Sequence, residues 1–261
     1  MDENEAMFKN IIVRKPCSSI TEGLTTASFG KPDHKLALKQ HEAYIDAMRK
    51  CGVDITLLEA NDGFPDSCFI EDVALCTKRN AIITRPGVIS RCGEADLPDL
   101  KEALENFYDE IDIIKEPGTV DAGDIMMVGD HFYIGLSGRT NEEGARQVIK
   151  LIEKFGFTGS TVELRKVLHL KTGISYIENN NLLVSGEFVD DPAFSKFNRI
   201  EIDSKEAYAA NCLWVNGNVI VPEGYPETER KIEDLGYIVH IVDTSEFRKL
   251  DGGLSCLSLR F

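Results

Sequence analysis

A chain of 261 residues can form one large domain or two small ones, and either can bury a sizeable core without a disulfide staple. The 44 Asp plus Glu against 29 Lys plus Arg give a formal charge of -15, a field that repels phosphate backbones and argues against nucleic acid as a partner. With 43 % hydrophobic and 28 % charged residues the composition is that of a folded globular protein, far from disordered chains. The seven cysteines are scattered without a CxxC pair, which suits a reducing compartment. The start, MDENEAMFKN, lacks the basic and apolar regions of a secretion signal. No stretch approaches the roughly eighteen uninterrupted apolar residues of a membrane span. A cytoplasmic location and no membrane partner are expected.

In chain order, the first six residues read as a loose extension, followed by an apolar strand at Ile11–Val13. A helix is predicted over His34–Lys50, with Ala37, Ala43, Ile45 and Met48 among its apolar positions, and then strands at Val53–Leu58 and Cys68–Cys76. The succession recurs with a strand at Ala81–Thr84, a helix over Glu94–Phe107, and strands at Ile111–Ile114 and Ile125–Val128. In the third copy Phe132–Leu136 is followed by Thr140-Asn141-Glu142-Glu143, a capping-box pattern that opens a helix running to about Phe155. Its strands are Thr161–Leu164 and Ile174–Ile177. The fourth copy starts at Leu182, has a short helix at Pro192–Phe197, and continues with strands Arg199–Ile202 and Cys212–Val215. The fifth comprises Val219–Val221, a helix over Pro226–Leu235, and strands Tyr237–Val242 and Leu254–Leu259. Five such modules, none able to bury its own faces, can stack around an axis. An open doubly wound sheet is the alternative, but it alternates strands and helices singly, whereas here two strands come together between helices.

The unusual residues fall in the turns between the third and fourth elements of the modules, which would converge at one end of a ring. These turns are Phe64-Pro65-Asp66-Ser67-Cys68-Phe69-Ile70-Glu71-Asp72, Pro117-Gly118-Thr119-Val120-Asp121-Ala122-Gly123-Asp124, Leu168-His169-Leu170-Lys171, and the segment from Leu250 to Cys256. A second class of turn carries Ser90-Arg91 and Gly138-Arg139. Singly, each has a plain structural explanation: Cys256 between leucines as a small core residue, His169 as a satisfied core histidine, the arginines as surface ion pairs. Together they have the composition of a thiol nucleophile with a general base, anionic contacts for a cation and guanidinium contacts for a carboxylate. Gly23–Gly30, with small polar residues between its glycines, reads as a lid over that site.

At these residues, and in the segments PDSCFIEDVAL, ITRPG, GTVDAGDIMMVGDHFYIG, RTNEEGAR, VLHLKTG, YAANC, GYPET and DGGLSC, the sequence resembles the dimethylarginine dimethylaminohydrolases of the guanidine-modifying superfamily. The resemblance covers nearly the whole chain from Met7 to Phe261 and is strongest to bacterial members. It implies an α/β fold, a single-domain five-bladed α/β propeller with fivefold pseudosymmetry of ββαβ modules (the pentein fold). It also implies that Cys256 attacks the guanidinium carbon of an N-omega-methylated arginine, that His169 handles protons, and that L-citrulline and a methylamine are released. By the same comparison Asp121 orients His169, Asp72 binds the guanidinium, Arg91 and Arg139 hold the substrate carboxylate, and Asp66 takes the alpha-ammonium group. Glu71 belongs to the same motif, and the carbonyls of Leu24 and Leu250 fall where the family contacts the substrate amino acid. Position 121 departs from the glutamate common among bacterial relatives, which brings the reach of this shorter carboxylate into question. No cofactor is expected, and no metal, because Cys256 and His169 offer two ligands where a usual zinc site has three or four. The partner is a small-molecule methylated arginine, and the oligomeric state is open, with a homodimer among the candidates. The alternatives are an arginine or agmatine deiminase and a non-catalytic propeller binding protein.

Overall fold

The computed structural model describes residues 7–261, so the loose extension expected at residues 1–6 lies outside the described residues. The first strand of each repeat lies in the middle of a three-stranded sheet, and the described residues form five such sheets. These central strands are β1 (Asn10–Arg14), β4 (Ala81–Ile83), β7 (His131–Leu136), β10 (Asn181–Val184) and β13 (Asn218–Pro222). Each pairs in parallel with the strand that returns after a crossover: β2 (Asp54–Leu58), β5 (Ile111–Ile113), β8 (Thr158–Glu163), β11 (Asn198–Glu201) and β14 (Ile238–Val242). Parallel pairing requires such a crossover, and helices supply most of it. An antiparallel strand completes each sheet: β3 (Ala74–Cys76), β6 (Ile125–Val128), β9 (Ile174–Tyr176), β12 (Leu213–Val215) and β15 (Leu259–Arg260).

The last strand of each sequence repeat therefore belongs to the sheet of the next. β15 pairs with β1, and the amides of Lys9 and Asn10 both donate to the Phe261 carbonyl, so the two ends of the described chain close the ring. All five antiparallel strands line one cavity, which includes Ala74, Met126, Tyr176, Trp214 and Arg260. They face a common axis, and the fold is a five-bladed α/β propeller. The helices α1 (His34–Lys50), α2 (Ile89–Ala95), α3 (Pro98–Glu105), α4 (Glu142–Glu153), α5 (Pro226–Glu233) and the short α6 (Ser245–Arg248) pack outside the sheets. α1 starts on Asp33, whose side chain accepts the Leu36 amide, and it buries Ala37, Tyr44, Ile45 and Met48 at three-and-four spacing.

Several expected elements differ, some for local reasons and some because of distant partners. The single helix expected over Glu94–Phe107 is two, because Pro98 has no amide to continue α2 and instead starts α3. This places Arg91 inside α2. The strand expected at Cys68–Cys76 is only Ala74–Cys76, since Ile70–Val73 tighten into a 3-10 turn that buries Glu71 and Asp72. α4 is capped by Asn141, which accepts the Gly144 amide at 2.7 Å, and the expected cap Thr140 is buried with its hydroxyl accepting the Asp121 amide at 3.1 Å. The helix expected at Pro192–Phe197 is one 3-10 turn, Pro192–Phe194, and the last strand shrinks to Leu259–Arg260 behind a 3-10 turn at Ser255–Leu257.

Candidate active site

Each repeat places a 3-10 turn just before its axial strand: Ile70–Val73, Ala122–Asp124, Leu170–Thr172, Ser204–Ala210 and Ser255–Leu257. Neighbouring turns touch around the axis, so short, tightly wound backbone forms one mouth of the propeller. Into a cavity of 260 Å³ at this mouth the chain brings Leu24, Asp66, Asp72, Arg91, Arg139, His169, Leu250 and Cys256. Asp121 lies beneath His169, and Glu71 lies toward the axial cavity rather than on the wall of this cleft.

Cys256 is partly exposed, and the Gly253 amide points at its Sγ from 3.4 Å. Burial pushes the thiol up to about 12, with the Glu71 and Asp72 carboxylates adding to the effect against Lys171 and the Gly253 amide. His169 is almost fully buried, which by itself would lower its pKa, but Asp72, the hydrogen bond to Asp121 and the charge of Asp124 raise it to about 9. Its Nε2 lies 3.1 Å from Asp121 Oδ2, so the aspartate at position 121 does reach the imidazole. The other Asp121 oxygen accepts the Gly87 amide at 2.8 Å. Burial and the acidic neighbours thus favour the protonated form of both the Cys256 thiol and the His169 imidazole.

Arg91 is not the surface ion pair that its sequence position suggests. It is 4 % exposed, with Nη1 on Asp72 Oδ2 at 2.6 Å, Nε and Nη2 on Glu94, and Nη2 also on the Phe69 carbonyl. Of its five N–H groups one on Nη1 stays open for a ligand. Burial works against the charge on Asp72, but His169 and Arg91 hold its carboxyl below the usual range. Arg139 is less committed, with a 3.5 Å contact to Asp121 Oδ2. Asp66 accepts the Leu24 amide, and burial raises its pKa against Arg91 and that amide. The Gly23–Gly30 segment lies across the cleft: the Thr26 amide and hydroxyl donate to Asp251 Oδ2 at 2.6 and 2.9 Å, and Phe29 covers the Arg248 guanidinium.

Residues without an assigned role in the sequence complete the site. Glu94 clamps Arg91, and its i,i+3 spacing on α2 was a usable signal. Asp124 accepts the Leu170 amide at 2.9 Å and the Ser137 hydroxyl at 2.7 Å. Lys171 and Arg260 both donate to Glu71 Oε1, at 2.5 and 2.6 Å, and Glu71 Oε2 is buried without a partner. Nothing in sequence spacing brings Arg260 to Glu71. Asp72, Asp121 and His169 offer three ligand atoms within 4.8 Å of one another, but each is already held by a protein group, and Arg91 and Arg139 add positive charge beside them.

Fold and cleft together define the class, a five-bladed α/β propeller whose axial mouth carries a cleft lined by a cysteine, a histidine, carboxylates and arginines. A family model described as N,N dimethylarginine dimethylhydrolase, eukaryotic, matches residues 28–205. The dimethylarginine dimethylaminohydrolase of Pseudomonas aeruginosa is 60 % identical over 256 residues, 98 % of this chain and all of that one. The chain belongs to the dimethylarginine dimethylaminohydrolase family. A solved structure of the P. aeruginosa protein, a cysteine-to-serine variant complexed with citrulline, superposes with a TM-score of 0.96 over 98 % of this chain and 100 % of that chain. A histidine-to-glycine variant of a dimethylarginine dimethylaminohydrolase, solved as its adduct with S-methyl-L-thiocitrulline, is 60 % identical, with the same TM-score and coverage. Among the described residues no helix is long and apolar enough to cross a membrane.

Proposed function

We infer that this chain hydrolyses N-omega-methylated L-arginine, asymmetric dimethylarginine or monomethylarginine, to L-citrulline and dimethylamine or methylamine. The observation that carries the reading is the convergence of Cys256, His169 and Asp72 with Arg139 and Asp66 on one cleft. Such a cleft matches a zwitterionic amino acid at one end and a planar cation at the other.

A guanidinium seated against Asp72 brings positive charge beside Cys256, which offsets the carboxylates that hold the thiol proton in the empty site. The proton leaves to solvent, because His169 already carries one. Thiolate sulfur adds to the guanidinium carbon, giving a tetrahedral centre. His169 transfers its proton to the departing nitrogen, the C–N bond breaks with its electron pair on the amine, and an S-alkylthiouronium remains. The now neutral His169 takes a proton from water, hydroxide adds to the same carbon, and the C–S bond breaks as the new hydroxyl gives its proton to solvent, releasing citrulline and thiolate. Asp121 holds the imidazole in place through both half-reactions. Glu71, which the resemblance groups with the substrate contacts, faces the axial cavity instead of the cleft, so no substrate contact is assigned to it. Arg139 and the open N–H of Arg91 take the substrate carboxylate, Asp66 takes the ammonium group, and the Leu24 and Leu250 carbonyls supplement it.

The test is citrulline release from asymmetric dimethylarginine, with monomethylarginine, arginine and agmatine at equal concentration. Preferential turnover of the methylated pair is the expected result. Preference for arginine or agmatine would make the chain a deiminase, and no turnover of any would remove the catalytic reading.

A further inference from the structure

The fourth 3-10 turn is the one whose residues carried no chemistry in the sequence. It ends at Asn211, which is 6 % exposed and sits between the loops of His169 and Cys256. Its Oδ1 accepts the Ser255 amide at 3.0 Å. Its Nδ2 donates to the Ser255 hydroxyl at 3.0 Å and to the Lys171 carbonyl at 2.8 Å. Ser255 immediately precedes Cys256, and Lys171 lies two residues beyond His169 in the same turn. One side-chain amide thus ties the backbone that carries the thiol to the backbone that carries the imidazole.

We propose that Asn211 is a positioning residue that sets the spacing between the Cys256 thiol and the His169 imidazole, an inference that rests on the roles given to those two residues above. The grip on the His169 turn is two-sided, with Asp124 holding the Leu170 amide from one neighbouring module and Asn211 holding the Lys171 carbonyl from the other. The nucleophile loop also rests directly on the amide: a Cβ added at Gly253 would lie 2.7 Å from Asn211 Cγ. Asn211 lines a small space of 30 Å³ that Cys256 and His169 also border, and it does not line the substrate cleft. It therefore acts on the chemical step and leaves substrate binding alone.

The experiment compares kcat and KM for asymmetric dimethylarginine in the natural chain, Asn211→Ala, Asn211→Asp and Gly253→Ala, with Cys256→Ser as a control. The aspartate still accepts the Ser255 amide but presents a carboxylate to the Lys171 carbonyl, so it severs the tie on the His169 side only. A displacement on the order of 1 Å at the reacting groups predicts a kcat loss of about tenfold to a hundredfold with KM within about threefold. The pH midpoint for labelling Cys256 with a cationic haloamidine should move as well, which a general loss of stability would not produce. Asn211→Ala and Asn211→Asp should agree, because a pure charge effect would appear in the aspartate alone. If Asn211→Ala does not fold, Asn211→Asp and Gly253→Ala carry the test. Folded variants with natural kcat, or with KM raised and kcat kept, overturn the inference while an inactive Cys256→Ser leaves the thiol mechanism standing. An active Cys256→Ser overturns both.

Discussion

The hydrogen bond between Asp121 and His169 makes a quantitative claim about pH. Replacing Asp121 by Asn keeps the shape of the side chain and removes the charge 3.1 Å from Nε2. A hydrogen bond to a charged partner contributes about 1.5–3 kcal/mol, and because Asp121 is wholly buried, little solvent screening reduces it. At 1.36 kcal/mol per pKa unit the imidazolium should lose about one to two units. His169 would fall from about 9 to roughly 7–8, by the same conversion. The group is needed protonated to release the amine, so activity is present below its pKa and lost as pH rises through it. The alkaline limb of kcat/KM, which reports the free enzyme, should move down by the same one to two units. At pH 8.5 the variant should lose about threefold to twenty-fivefold more activity than it does at pH 6, from the protonated fraction alone. A kcat/KM profile over pH 5.5–10, backed by NMR titration of the His169 ring in the free enzyme, measures this. Asp121→Glu should restore much of the limb. An alkaline limb that stays in place in Asp121→Asn, whatever the overall loss, would refute the claim that this carboxylate sustains the imidazolium.

Other consequences follow from the same geometry. Cys256→Ser should abolish citrulline release while calorimetry still detects substrate binding, and undiminished turnover would remove the nucleophile assignment. With the thiol pushed up to about 12 in the empty site, neutral iodoacetamide should label Cys256 slowly at pH 7. A cationic haloamidine should label it far faster, with saturating substrate protecting, and equal rates for the two reagents would contradict substrate-assisted ionisation. Arg139→Leu should raise KM for dimethylarginine by roughly tenfold to a hundredfold, the loss of about 1.5–3 kcal/mol of charged hydrogen bonding, with little change in kcat. A KM unchanged from the natural chain would place the carboxylate elsewhere.

The order of strands and helices was legible in the sequence because it rests on local patterns. Apolar runs such as Leu182–Val184, three-and-four spacing in His34–Lys50, and proline at position 226 report period and boundary within a few residues of the elements found. The chemistry-bearing residue types were legible too, since Cys256, His169, Asp72 and Asp121 stand in turns that five modules bring to one end. Apart from the helix that Pro98 splits, a long-range partner outweighed a local preference at two sites: Thr140 turns inward to Asp121 and leaves the cap to Asn141. Glu71 and Asp72 leave the strand ladder for cations at positions 91, 171 and 260.

The sequence by itself thus determined the modules and the residue types that stand in their turns, because periodicity and residue type are properties of short segments. Only the tertiary structure decided that β15 closes the ring on β1 and that Arg91 is buried on Asp72 and Glu94. It alone put an asparagine between the thiol and imidazole loops and surrounded both groups with the carboxylates that raise their pKa values. Those outcomes depend on distances between residues far apart in the chain, and on the burial that lets charges a few ångströms apart act at low screening.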